Sequence, residues 1–186
     1  MGKMLENLHV VLAIGLGLAI ALMALFHVGE VNASAILQWL HVFFGITWIG
    51  LLYYFNFVQI PTMPSIPAEL KPGVSKYIAP KALFFFRWGA AFTVLTGLIL
   101  AWVHDYEAEA LTLQAPYQLI GTGMWLALIM AANVWFIIWP NQKRALGLVE
   151  ADDASKAKSA RTAMLASRTN TLLSIPMLYA MTAFRY

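Results

Sequence analysis

The sequence has 186 residues, of which 61% are hydrophobic and only 11% charged, with a mean hydropathy of +0.70. A water-soluble domain of this length has no core large enough to hide so much apolar surface, so lipid is the solvent for most of the chain. The lack of cysteine excludes disulfides, thiolate metal sites, iron–sulfur clusters and covalent c-type haem, and a net charge of +3, thinly scattered, argues against nucleic acid as a partner.

A hydrocarbon layer of about 30 Å takes roughly 20 apolar residues per helix. Five such stretches follow one another, at residues 9–27, 34–58, 82–103, 118–139 and 163–184. They predict an all-α polytopic membrane helix bundle, one transmembrane domain over 1–186, with short loops and no soluble head. The first stretch has the length of a signal peptide, but Phe26-His27-Val28-Gly29-Glu30 lacks a small-x-small cleavage pattern, so retention is expected. In the fifth, Pro176 predicts a kink, tolerated where neighbours satisfy the freed carbonyl.

Charge in the loops alternates. Lys3 precedes the first span; Lys71, Lys76 and Lys81 follow the second; Lys143, Arg144, Lys156, Lys158 and Arg161 follow the fourth. The intervening loops hold Glu30, then Asp105, Glu107 and Glu109, with no Lys or Arg. The positive-inside rule then puts the N-terminus in the cytoplasm and Tyr186 in the periplasm of a bacterial inner membrane.

Polar side chains inside a membrane are costly and mark function, so each is placed by depth. One level lies toward the outer face: His27 ends the first span, His41 lies about two turns into the second, and His104 ends the third. Gly45 is one turn below His41, leaving room for a flat ring, and Trp48 continues that face. Back along the third span from His104, Ala101, Gly97 and Ala90 fall within about 60° of its direction at 100° per residue. Facing histidines beside lanes of small residues are what a haem b in a helix bundle needs. His41 and His104 are therefore the candidate axial ligands, His27 a reserve, and Gly45, Gly97 and Trp48 candidate lining. The plainer reading is that small residues serve close helix packing and that a terminal histidine, like His9, rests in the interface.

The other level lies toward the inner face. Asn56 and Gln59 end the second span, Arg87 is a turn or two into the third, Asn133 is in the inner half of the fourth, and Arg168 with Asn170 begins the fifth. Amides and guanidinium groups together suit a planar, anionic, hydrogen-bonding guest, either haem propionates or a small substrate. Snorkelling arginines and helix-bridging asparagines are the alternative. Trp39, Trp102, Trp139, Tyr117 and Tyr186 read as aromatic belts, with Tyr53 and Tyr54 deeper and one of them a candidate for lining the site.

The string Leu40-His41-Val42-Phe43-Phe44-Gly45-Ile46-Thr47-Trp48 and its continuation to Gln59 resembles the membrane domain of the bacterial urate oxidase (urate hydroxylase) family. The resemblance continues through Tyr77-Ile78-Ala79-Pro80-Lys81, Phe86-Arg87-Trp88-Gly89-Ala90, the run Asn133 to Gln142, and Ser167-Arg168-Thr169-Asn170-Thr171. It implies a redox role, since in that family the membrane region oxidises urate and passes electrons to a C-terminal cytochrome c domain. Longer members carry that domain, whereas this sequence holds no Cys-x-x-Cys-His. The His-to-Trp opening of the second span is also similar, more weakly, to the bacterial membrane protoporphyrinogen oxidase.

The expectation is thus a membrane haem b redox protein that oxidises a small guest in the inner pocket and hands electrons to a periplasmic cytochrome or another membrane subunit. An accessory subunit of a larger respiratory or oxidase complex, without a cofactor, is the competing expectation. Transport is a third, weakened by the lack of an inverted repeat.

Overall fold

In the computed structural model residues 2–26 and 33–184 are described; His27, Glu30 and Tyr186 lie outside the described residues. Among the described residues the chain is helical throughout, with no strand. The long helices are α1 (Leu8–Phe26), α2 (Ala33–Ser65), α3 (Lys71–Val103), α4 (Gln118–Ala145) and α5 (Asp153–Ala183), with a short helix, Glu107–Leu111, before α4. Residues 1–36 form one compact unit and residues 37–186 a second.

Within the first unit, α1 has no buried residue. Leu12, Leu18, Leu22 and Leu25 stand exposed, an arrangement stable only where lipid or protein takes the place of water. By length and composition α1 to α4 are able to cross a membrane. α5 is long enough, but it starts ten residues before the predicted span and carries Asp153, Lys156, Lys158, Arg161 and Arg168 in its first half.

α2 and α3 also outrun their predicted limits, and proline explains how. A proline lacks the N–H for its helical bond and its ring crowds the carbonyl four residues back, so Pro61, Pro80 and Pro140 read as breakers. Here a wide π-helical segment precedes each of them: Tyr54–Gln59, Val74–Ile78 and Asn133–Ile138. Each segment ends two residues before its proline, so the wider turn absorbs the lost bond and the helix continues. Such π turns are rare and recur at functional sites.

In the second unit, the core is built by Trp48, Leu52 and Phe55 of α2, Leu83, Phe86 and Ala90 of α3, Met130 and Val134 of α4, and Met177 of α5. α2 and α3 approach so closely that a Cβ on Gly89 would stand 3.2 Å from the backbone nitrogen of Trp48. A smaller cluster, Ala101, Ala110, Ile120 and Met124, closes the end where the short helix packs on α4.

Candidate functional site

His41 and the amide layer form two separate places in the second unit, about 20 Å apart along α2 at 1.5 Å per residue. Trp48, Phe55 and Phe86 occupy the core between them.

The half-buried imidazole of His41 rests against α3, where Gly97 makes room: a Cβ there would stand 2.7 Å from Cε1. Its Nδ1 is 2.9 Å from the carbonyl of Thr93, with the Thr96 hydroxyl 3.4 Å from the same nitrogen. A carbonyl only accepts, so Nδ1 carries the proton and Nε2 keeps the lone pair. That is the tautomer, and the kind of supporting bond, found behind metal-ligating histidines. Of the lane of small residues expected on α3, Gly97 is taken up by the His41 ring and Ala90 and Ala101 are buried, while Gly89, next to the lane, meets Trp48. Gly45 lies against Thr93, 3.9 Å from its methyl.

His104 is the C-cap of α3 and exposed, its ring stacked on Tyr106 at 6.3 Å. It sits seven residues beyond Gly97, about 10 Å further along the helix axis. The donor chemistry for an axial haem ligand therefore rests on His41 Nε2, and the structure does not bring His104 beside it.

Four helices meet at the amide layer. The Asn56 amide nitrogen donates to Leu52 O at 2.9 Å and to Ser167 Oγ at 2.8 Å. The Asn133 nitrogen donates to Ala166 O at 2.9 Å and to Asn170 Oδ1 at 2.7 Å. Asn170, fully buried, donates to Met130 O at 3.0 Å. Tyr53 OH stands 3.0 Å from Ser174 Oγ, which donates to Thr171 O.

Arg87 joins from α3. Phe86 and Phe55, its neighbour and that of Asn56, pack edge to face at 5.6 Å, which fixes the level of both helices. The guanidinium carbon lies 3.4 Å above the centre of the Trp139 ring, close enough for a strong cation–π contact. Lys143 approaches the same ring at 5.6 Å.

What the layer lacks is as telling. Among the described residues, Asn56 Oδ1, Gln59 Oε1, Asn133 Oδ1 and the Nε and Nη1 of Arg87 are buried without a hydrogen-bond partner. An orphaned buried polar atom costs on the order of 1–3 kcal/mol; Trp48 Nε1, in the core nearer His41, is buried without a partner as well. A guest that satisfies those of the layer removes that burden. Asn56 and Asn133 also stand on two of the π-helical segments.

Arg168 is exposed on α5 and is not brought into the layer, although Ser167 and Asn170 beside it are buried. Tyr53, Ser167, Ser174 and Trp139 belong to the layer or its support. The spacing of Ser167, Asn170 and Ser174, three and four residues apart, marks one face of α5 and is readable in the sequence. Trp139 carries no such signal beyond its place at a span end.

Residues 106–186 match the family model described as "Urate oxidase N-terminal". The match covers the short helix, α4 and α5, with the runs Asn133 to Gln142 and Ser167 to Thr171; the similar strings of α2 and α3 lie outside it. No curated protein and no solved structure matches the chain. The likeness of α2 to protoporphyrinogen oxidase gains no support from these comparisons.

Proposed function

We propose that this chain, whose residues 106–186 match the family model described as "Urate oxidase N-terminal", is a urate-oxidase-like membrane domain that oxidises a small planar anion, urate in the first instance, bound in the amide layer. The observation that carries the reading is the set of buried atoms without a partner among the described residues, the amide oxygens of Asn56, Gln59 and Asn133 and the Nε and Nη1 of Arg87. Trp139 and Arg87 offer a flat charged platform, and Asn56, Gln59 and Asn133 offer acceptors to ring N–H groups.

His41 would hold a haem b through Nε2, which when bound supplies one-electron transfer. Thr93 fixes the ring and its proton, while Gly97 admits it to the helix. In this reading the basic loops lie in the cytoplasm of a bacterial inner membrane, and a periplasmic cytochrome or a neighbouring membrane subunit takes the electrons.

The test is a visible spectrum of the purified chain in detergent. The proposal expects a Soret band that shifts to the reduced form when urate is added, and loss of the band in His41→Ala. No band in the wild type refutes it. The accessory-subunit reading expects His41→Ala to change neither spectrum nor assembly.

A further inference from the structure

We infer that the outward stripe of α5 through Lys158, Arg161 and Arg168 binds an anionic phospholipid, whose headgroup pairs with the two arginines and whose acyl chain follows Leu172 and Ile175.

Residues 158, 161, 165, 168, 172 and 175 recur at steps of three and four, which sets them on one stripe of the helix. All six are exposed. The buried face of α5 is a different one, built by Ser159, Ala163, Ser167, Asn170 and Ser174. The rotation that seats Asn170 in the bundle therefore turns Arg168 outward.

Depth makes that outward arginine unusual. Ser167 Oγ accepts from Asn56 at 2.8 Å, and Ala166 O and Asn170 Oδ1 accept from Asn133, so Arg168 stands level with the amide layer. Toward the basic end, the next cation on α4 is Lys143, about 15 Å beyond Asn133 at 1.5 Å per residue, and the next on α5 is Arg161, about 10 Å beyond Arg168. Snorkelling shortens that gap, but an arginine stem does not span it.

The helices offer Arg168 no counter-ion. α1 to α4 contain no Asp or Glu, and α5 has only Asp153, in its first turn, which pairs with Lys156 at 3.4 Å. A cation exposed at membrane depth is costly until an anion reaches it, so the anion comes from outside the chain. A phospholipid meets the whole stripe. It brings its phosphate from the interface, and its order from charged headgroup to hydrocarbon matches the passage from Lys158 and Arg161 to Leu172 and Ile175. A carboxylate on another protein would have to be buried at the same depth, and it would leave Arg161 and Lys158 unmet.

The experiment is native mass spectrometry of the full chain in detergent, titrated with phosphatidylglycerol and with phosphatidylcholine of the same acyl chains. Phosphatidylglycerol is retained in preference, and Arg168→Gln and Arg161→Gln each weaken its retention about fivefold. Arg144→Gln, an exposed cation at the end of α4, leaves the retention as it is. Equal retention of the two lipids by the wild type, the outcome if Arg168 serves a carboxylate of a partner protein, overturns the inference. So does undiminished retention in both α5 variants, and so does an equal loss in Arg144→Gln, which marks a general attraction to the basic end rather than a site on α5.

Discussion

Gly97→Ala separates the position of His41 from the stability of the fold. The new Cβ would stand 2.7 Å from Cε1 and 3.0 Å from Nδ1 of the imidazole. Ordinary carbon contacts lie at about 3.5–4.0 Å, so the ring retreats by about 1 Å. The 2.9 Å bond from Nδ1 to Thr93 O then stretches beyond hydrogen-bond range. Losing it costs about 0.5–1.5 kcal/mol, and replacing glycine by alanine inside a helix returns about 1 kcal/mol. The two nearly cancel, so the variant folds with a displaced histidine. Nitrogen-15 spectra of histidine-labelled protein in micelles report this directly: the wild type shows the Nδ1-protonated tautomer at His41, and Gly97→Ala loses it. Gly50→Ala, at a site with nothing within 4 Å, serves as the control and keeps the signal. An unchanged Nδ1 signature in Gly97→Ala refutes the account of how α3 seats the ring.

Three further outcomes are expected. Gly121→Ala drives a Cβ into the backbone carbonyl of Ala110, which cannot swing aside as a side chain does. It lowers stability by about 1–3 kcal/mol and loosens the bond from Trp125 Nε1 to Leu111 O; a thermal melt with tryptophan emission that matches the wild type counts against it. Asn170→Leu deletes the acceptor for Asn133 and the bond to Met130 O, costing about 1–3 kcal/mol. The Asn133 nitrogen keeps its bond to Ala166 O, and a thermal melt of Asn170→Leu that matches the wild type speaks against the account. Asp152 caps α5, and the hydroxyl and N–H of Ser155 hold its carboxyl below the usual range. Since the folded value lies below the unfolded value of about 3.9, the cap is fully present above that pH and fades as pH falls through the folded value. Protection of the Ser155 amide against hydrogen exchange should fall in acid, while Asp152→Asn, which keeps an acceptor but not the charge, flattens the dependence; equal profiles refute it.

Both the helical class and the order of the long helices were legible because an apolar run of twenty residues has few other solutions in lipid. That Asn133 and Asn170 fall at one level could be counted along their spans, and the bond between them agrees. Helix ends were not legible: the second span was bounded at 58 and the third at 82, whereas the π turns before Pro61 and Pro80 let α2 run to Ser65 and α3 start at Lys71. Arg87 and Arg168 looked alike in sequence, each near the inner end of a span. Arg87 lies on Trp139 whereas Arg168 is exposed, because the rotation of a helix about its axis is set by what packs on it.

Composition and periodicity alone determined that this is a membrane-embedded helical chain with costly polar groups at two depths, for the partition of side chains between lipid and water depends on residue type and position along the helix. Tertiary structure alone decided that the His41 ring fills the notch of Gly97, that Asn56 and Asn133 spend their amide nitrogens on groups of α5 and leave their oxygens unpartnered, and that His104 stands apart. Those are matters of azimuth and amide orientation, and they follow from contacts between residues far apart in sequence, such as the bonds between His41 and Thr93 and between Asn133 and Asn170.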